Sequence, residues 1–473
     1  MIDMPNDLTA QPWFFCGIGG SGMLPLALIL RQHGAIVGGS DRSFDQGRAD
    51  LKRDWLAALG FDLYPQDGSG ITSARQILVA SAAIEDSVPE VARAAALGCR
   101  RMSRADLLSK LFNAASCGIA VGGTSGKSTV TGMIGWILHA AERDPTIVNG
   151  AVMKNFAAPG VPFASAIAGR GEPFVAEVDE SDGSISLYNP AVAVLLNVSL
   201  DHKSIEELRV LFGDFVGRAG TAVLNLDDEE AAWLLPKARP SMTFAINHPA
   251  AKIGIEPGTI EESANGIAAL VVDRREDVAH TLRLKVPGRH NLANALAAIA
   301  ATAAAGVPVH EAALALDSFA GLARRFDVLG ITLTGITVID DFGHNPEKCA
   351  ATLRTLRAHP GRVIAFFQPH GYGPLRQMGQ ELAATFADEL APGDLTIMCD
   401  PVYFGGTVDR SVGTEAVVAR INALGGQAEH VPAREACGNR IVALAQPGDR
   451  IVVMGARDDT LTSFAQGVLE RLR

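Results

Sequence analysis

The sequence predicts an α/β protein of three domains, each a mostly parallel sheet flanked by helices. Three observations carry this. Short apolar runs alternate with helical patterns, as in Arg362–Phe366 followed by Arg376–Phe386, and such alternation argues a parallel sheet covered on both faces. Two glycine-rich turns, Gly17–Gly22 and Gly122–Gly126, each lie between an apolar run and a helical pattern. The length of 473 residues exceeds what one hydrophobic core serves. The divisions fall at residues 1–116, 117–325 and 326–473.

Composition narrows the function classes. The chain is 48% hydrophobic and 20% charged, as an ordinary globular protein is. Its formal net charge of −11 argues against indiscriminate nucleic-acid binding, so a phosphate-bearing ligand needs a local positive site. The six cysteines (Cys16, Cys99, Cys117, Cys349, Cys399, Cys437) show no paired spacing for zinc or a disulfide framework and fit a reducing cytosol. The longest nearly apolar run, Ala293–Val307, is shorter than the roughly 18 residues a spanning helix needs, and the N-terminus carries no basic-then-apolar signal. A cytoplasmic protein without membrane contact is expected.

In the first domain, the apolar strand Trp13–Cys16 feeds Gly17-Ile18-Gly19-Gly20-Ser21-Gly22, and Met23–His33 follows with helical spacing. Ala35–Gly38 reads as a second strand with Asp41 at its end. This G-x-G-x-x-G turn suits a diphosphate on a helix N-terminus, so Gly17, Gly19, Gly20, Ser21, Gly22 and Asp41 are candidate binding residues. The diphosphate of NAD and that of a UDP-sugar satisfy the pattern equally, and a purely structural turn is the plain alternative. Gln76–Ala80 continues as a strand and Val88–Leu97 as a helix.

The second domain opens with Val121-Gly122-Gly123-Thr124-Ser125-Gly126-Lys127-Ser128-Thr129 before the helical pattern Val130–Ala141. Exposed backbone N–H groups at a helix N-terminus favour phosphate; Lys127 would reach the outer phosphates and Ser128 would ligate Mg²⁺. The strict motif wants a glycine where Val121 stands, and a turn that merely joins strand to helix is the bland reading. The apolar stretch from Phe174 then runs into Glu177-Val178-Asp179-Glu180-Ser181-Asp182. A carboxylate at a strand end beside a phosphate loop is what a hard cation requires, and Glu177 and Asp179 share a face if the strand persists that far; a solvated acidic turn is the alternative. The strand Ala191–Leu196 leads to His202, a structural histidine if taken alone and a second metal candidate in this position. His290, Asn291 and Asn294 precede an alanine-rich helix, Ala295–Ala305, where composition alone reads them as caps. Arg324 and Arg325 stand beside Phe326, and a planar guanidinium suits phosphate.

The third domain repeats the alternation with strands Ile336–Ile339, Arg362–Phe366, Asp394–Cys399 and Arg450–Met454. Its helical patterns are Glu347–Arg357, Arg376–Phe386, Glu415–Leu424 and Thr462–Leu472. Polar residues gather where strands end, at Asp340–Asn345 and Gln368–Tyr372, the position at which open parallel sheets bind ligands. They place His344 and His370 at the ends of successive strands.

Taken together, these motifs in this order, with Asp201-His202, Gly288-Arg289-His290-Asn291 and Phe367-Gln368-Pro369-His370 among them, resemble the Mur ligases of peptidoglycan synthesis, and within that family its alanine-adding branch. The resemblance covers nearly the whole chain. It implies a Rossmann-like N-terminal domain for UDP-N-acetylmuramate, a P-loop ATPase-like central domain, and a Rossmann-like C-terminal domain that closes over ATP and an amino acid or short peptide. It implies that Gly123–Thr129 hold ATP, with Ser128, Glu177 and His202 at the Mg²⁺ sites. His290, Asn291 and Asn294 would lie on the adenine side, Arg325 would reach the γ-phosphate, and Asp341 would serve the ribose. Ser181, Asp182, His344, His370 and Arg376 become substrate candidates, with Lys127, Arg325 and His344 as the catalytic set. The implied reaction transfers the γ-phosphoryl group to the lactyl carboxylate and then lets an amine attack the acyl phosphate.

Departures from the branch concern the amine. It carries histidine and threonine where this chain has Ser125 and Ser128, Tyr-x-His-His where it has Phe342-Gly343-His344-Asn345, and arginines at the positions of Gly371 and Pro374. Attachment of another amino acid or a recycled peptide is therefore the nearest alternative. An NAD-dependent dehydrogenase and a catalytically silent scaffold are alternatives of other classes. A monomer or homodimer is expected.

Overall fold

The computed structural model describes residues 9–81, 84–181, 183–199, 203–402, 410–456, 458 and 460–473. Asp182 and His202 lie outside the described residues. Contacts gather the chain into two compact units, one of residues 1–261, 267–285 and 289–320, the other of 262–266, 286–288 and 321–473.

The first unit contains a five-stranded parallel sheet with strands β1 (Trp13–Cys16), β2 (Val37–Ser40), β3 (Asp62–Tyr64), β4 (Ile77–Ala80) and β5 (Arg100–Ser103) in the order β3-β2-β1-β4-β5. The order reverses beside β1, so the turn Gly17–Gly22 opens at a topological switch point. Alternate residues of β1 serve opposite faces: Trp13 and Phe15 enter one apolar cluster, Phe14 and Cys16 another. This double burial explains the unbroken apolar run in the sequence.

The central sheet has eleven strands: β6 (Cys117–Gly122), β7 (Thr146–Val148), β8 (Ala166–Ile167), β9 (Pro173–Glu177), β10 (Val192–Leu195), β11 (Thr221–Asn225), β12 (Ser241–Phe244), β13 (Ile253–Ile255), β14 (Glu261–Ser263), β15 (Gly266–Asp273) and β16 (Val278–Leu284). Its parallel part runs β13-β12-β11-β10-β6-β9-β7, so β6 stands between β9 and β10. The phosphate loop, the acidic turn and Asn197 therefore all leave the same edge. Phe112, on the helix Arg104–Asn113, packs edge-on against Phe174 at 5.7 Å and Tyr188 at 5.2 Å, and one apolar cluster runs through both sheets.

The second unit carries β17 (Asp327–Ile331), β18 (Thr337–Asp341), β19 (Val363–Gln368), β20 (Leu395–Met398), β21 (Ala428–His430) and β22 (Arg450–Gly455) in the order β17-β18-β22-β19-β20-β21, with only β17 antiparallel. Val363, Ala365 and Phe367 face one core, Ile364 and Phe366 the other. Among the described residues no helix is long and apolar enough to cross a membrane.

Several elements differ from the sequence reading. The loop helix begins at Lys127, three residues before Val130, and the alanine-rich helix begins at Arg289. Both starts carry polar residues, which hides the helical period there. Strand β9 ends at Glu177, so Glu177 and Asp179 are not held on one face of a strand. The antiparallel strands between Ile253 and Leu284 were not anticipated.

Candidate functional site

At the switch point of the first sheet, Gly17 and Ile18 donate their amides to Ser40 O at 2.8 and 3.0 Å, which folds the turn against β2. Asp41 Oδ2 accepts the Gly19 amide at 2.8 Å and Oδ1 accepts the Ser43 amide at 2.9 Å. Asp41 therefore shapes the turn and caps the helical turn Arg42–Asp45. A dinucleotide site needs that acid to take ribose hydroxyls, so this engagement weighs against the NAD reading. Lys52 Nζ donates to Gly19 O at 3.1 Å. Arg104 lies against Gly22, where a Cβ would come within 2.8 Å of its Cδ, and its charge also reaches Asp179. Neither Lys52 nor Arg104 was expected beside this turn, because isolated basic residues at the start of helical patterns carry no spacing signal.

The phosphate loop is built by its neighbours. Asn197 accepts the Ser125 amide at 2.8 Å and donates to Ser125 O at 3.0 Å, while Thr124 donates its amide to Asn197 O at 3.2 Å. Ser199 donates its amide to Thr124 Oγ1 at 3.0 Å. Gly126 caps the helix in a left-handed conformation, φ +89°, and a Cβ there would meet Asn294 Oδ1 at 2.7 Å; glycine is thus required twice over. Gly123 keeps its place in the turn, and Thr129 lies in the first turn of the helix. Asn294 donates to Asn291 Oδ1 at 3.4 Å; Asn291 is buried and His290 is exposed. These residues are thus inside the first two turns of their helix, with Asn294 against the loop. Val121 at the motif's missing glycine is a buried strand residue pairing with Val194 and Glu177, so the departure leaves the loop itself intact.

The acidic residues have separate partners. Ser128 Oγ donates to Glu177 Oε2 at 2.8 Å. A Cβ on Gly150 would lie 2.2 Å from Glu177 Oε1 and 3.5 Å from Ser128 Oγ, so a side-chain-free cradle faces two hard oxygens, a donor set that fits Mg²⁺. Lys127 Nζ donates to Gly123 O at 2.6 Å and to Glu180 Oε2 at 3.0 Å. Asp179 Oδ1 accepts the amide and hydroxyl of Ser181 at 2.9 and 2.7 Å. Burial pulls the Asp179 carboxyl upward, but the Ser181 bonds with the charges of Lys127 and Arg104 outweigh it and hold it below the usual range.

In the second unit, Arg325 lies over the Phe342 ring at 4.9 Å and Arg324 at 5.1 Å. Arg324 donates to Gly455 O at 2.7 Å and to Asp458 O at 3.1 Å and faces buried Asp340 at 3.5 Å; it is structural. His344 and His370 come together edge to face, 5.4 Å between centroids. Burial first, then the charges of Lys348, His370 and Arg325, push His344 down to about 4. Its Nδ1 lies 2.8 Å from Phe342 O; a carbonyl only accepts, so Nδ1 carries the proton and Nε2 is an acceptor. His344 is thus neutral near pH 7 and suited to an ammonium, not to a carboxylate. Arg376 is exposed on the helix Tyr372–Glu389. Arg410 lies over Tyr372 at 5.8 Å, a cation that the sequence reading did not single out.

Three family models match along the chain: the Mur ligase family catalytic domain over residues 14–116, the Mur ligase middle domain over 121–302, and the Mur ligase glutamate ligase domain over 324–457. The chain belongs to the Mur ligase family. Among its relatives, the UDP-N-acetylmuramate–L-alanine ligase of Pelotomaculum thermopropionicum is 35% identical over 94% of both chains. That of Streptomyces coelicolor is 33% identical over 97% of both. In fold, the chain is similar to the crystal structure of the UDP-N-acetylmuramate–alanine ligase of Thermotoga maritima, with TM-score 0.80 and 24% identity over 98% of this chain and 99% of that one. It is also similar to a murein peptide ligase from Psychrobacter arcticus, with TM-score 0.72 and 24% identity over 98% of each chain.

Proposed function

We propose that this Mur ligase is an ATP- and Mg²⁺-dependent enzyme that joins L-alanine to the lactyl carboxylate of UDP-N-acetylmuramate in the cytoplasm, through an acyl phosphate. The observation that supports it most is the phosphate loop after β6, with Lys127 and the Ser128–Glu177 pair at one helix N-terminus, in a chain that three Mur ligase models match between residues 14 and 457. We place the functional divisions at residues 1–116, 117–325 and 326–473.

In this reading the turn Gly17–Gly22, with Lys52 and Arg104 beside it, seats the diphosphate of the UDP-sugar. The loop Gly123–Thr129 cradles the triphosphate and Lys127 neutralises charge on the transferring group. Ser128 and Glu177 hold Mg²⁺, with His202 as a further ligand; the cation would draw charge from the outer phosphates. Asn291, Asn294 and His290 serve the base and Arg325 the γ-phosphate, while Asp341, expected on the ribose side, has both carboxylate oxygens engaged by Phe326, Gly343 and Thr352 and acts instead by positioning Arg325. The lactyl carboxylate is already ionised, so the step needs positioning and charge neutralisation more than a strong nucleophile. Its oxygen forms a bond to phosphorus as the bond to ADP breaks. The ammonium first gives up a proton to solvent; the free amine attacks the acyl carbon, the carbon–oxygen bond to phosphate breaks, and the second proton lost from nitrogen leaves with the phosphate. His344 Nε2 accepts a hydrogen bond from the incoming ammonium, with Ser181, Asp182, His370 and Arg376 completing the substrate contacts.

Gly371 and Pro374, where the alanine-adding branch carries arginines, favour a second reading in which another amino acid or a recycled peptide is the acceptor. Measuring kcat/KM for L-alanine, L-serine, glycine and the tripeptide with UDP-N-acetylmuramate and MgATP separates the two. Alanine leading the panel supports the first reading, and the tripeptide leading it supports the second.

A further inference from the structure

Lys127 begins the helix Lys127–Ala140, and a helix N-terminus carries a partial positive charge that favours anions. Its ammonium, 20% exposed as a side chain, meets Gly123 O at 2.6 Å and both Glu180 oxygens, at 3.0 and 3.3 Å. Glu180 is only 7% exposed. The neighbouring acids are engaged elsewhere, Glu177 by Ser128 and Asp179 by Ser181, so Glu180 is the carboxylate set aside for the lysine. An ammonium withdrawn from water needs a counter-charge, and a carboxylate against it occupies the ground that an outer phosphate oxygen would take.

We propose that Glu180 is the internal counter-anion of the phosphate loop: it holds the Lys127 ammonium until the outer phosphates of a nucleoside triphosphate displace it, and thereby sets the loop's affinity for phosphate. This rests on the ligase reading in assigning ATP to the loop. Glu180 acts through Lys127 as a positioning residue. While the pair is closed, the loop's strongest cation is neutralised, so stray phosphate gains little there. A triphosphate recovers the lost ion pair through its own charge and through contacts with the loop amides. Once Lys127 turns to the phosphates, Glu180 and phosphate would stand side by side as like charges, so the two anions exchange instead of sharing the lysine.

The exchange predicts an unusual sign: removing the carboxylate charge improves ATP binding. Calorimetric Kd values for ATP, with EDTA present to exclude metal effects, are compared for the unaltered chain, Glu180→Gln, Lys127→Ala and the double variant. Glu180→Gln tightens ATP binding on the order of tenfold, the lower end for one charge-assisted hydrogen bond. In the Lys127→Ala background the same substitution changes Kd by less than about twofold, since the coupling needs both partners. Glu180→Asp, which keeps the charge and shortens the reach, tightens binding in the same direction and serves if the glutamine variant fails to fold. Unchanged or weaker ATP binding in the Glu180 variants, or equal tightening with and without Lys127, overturns the proposal. Absence of ATP binding by the unaltered chain both in EDTA and with excess Mg²⁺ overturns the ligase reading and this inference with it, whereas binding that ignores Glu180 overturns the inference alone.

Discussion

The Asp341 carboxylate accepts the backbone N–H of Phe326 at 2.8 Å, which ties the end of β18 to the segment carrying Arg325. Its other oxygen takes the Gly343 amide at 2.8 Å and the Thr352 hydroxyl at 3.0 Å. The tied segment is unusual, because Arg324 and Phe326 both have positive φ, +60° and +48°, a conformation that non-glycine residues hold only when their surroundings impose it. Asp341 supplies part of that constraint and so orients Arg325 over Phe342.

Asp341→Asn turns one acceptor into a donor facing a donor. Breaking a buried charge-assisted hydrogen bond costs about 1.5–3 kcal/mol. Chemical unfolding of the second unit should show a loss of that size, and kcat should fall with it because Arg325 is released. A variant of unchanged stability would show that the Phe326 contact contributes nothing.

Lys127→Ala should lower acyl-phosphate formation by about 10²-fold or more, since a preorganised charge on the transferring group is lost, while UDP-sugar binding stays nearly intact. The substitution also leaves Glu180, 9% exposed as a side chain, without its cation. Lys127→Ala combined with Glu180→Gln should therefore regain stability without regaining activity. Near-normal turnover in Lys127→Ala would contradict the assignment.

Glu177→Gln should raise the Mg²⁺ concentration needed for half-maximal rate, because an amide oxygen is a weaker ligand than a carboxylate for a hard cation. An unchanged Mg²⁺ titration would leave Glu177 as a hydrogen-bond partner of Ser128 only.

How far the sequence alone carried this picture varies by residue. The strands that bear the site were legible because burial on both faces makes them unbroken apolar runs, as with Phe14 and Phe15 of β1 on opposite faces. That Ser128 and Glu177 come together beside the loop bearing Lys127 was legible from their places after neighbouring strands. The Lys127–Glu180 pair was not, since only the turn after β9 decides which of three acids meets the lysine. The neutral state of His344 was also hidden, because it follows from burial and from charges that are distant in sequence. The antiparallel strands β13, β15 and β16 lack a distinctive pattern: Val278–Leu284 alternates weakly and is half exposed.

His344 gives stability a pH dependence of definite sign. Its folded pKa of about 4 lies below the ordinary value of 6.5, so the unfolded chain binds the proton more readily between them. Stability of the second unit should fall as pH drops from about 6.5 towards 4, the window set by the two values, and this component should level off below it. His344→Gln should flatten that part of the profile. An unchanged slope in the variant would place the titration elsewhere.

The acceptor pocket offers a choice between two arginine insertions. Gly371 has φ +151°, where a side chain is strained, while Pro374 lies in the first turn of the helix Tyr372–Glu389. Pro374→Arg should therefore fold well and lower the KM for L-alanine, whereas Gly371→Arg should lose stability. Equal stability of the two variants would contradict the strain at Gly371, and no gain from Pro374→Arg would argue that other groups such as Arg410 already hold the carboxylate.

The most direct test of the ligase reading is ADP release measured with MgATP and UDP-N-acetylmuramate, with and without L-alanine, alongside mass detection of the product. ADP release should be sustained only when all three substrates are present, with one amide formed per ADP. No ADP release with the UDP-sugar and any member of the amino-acid and tripeptide panel would contradict that reading.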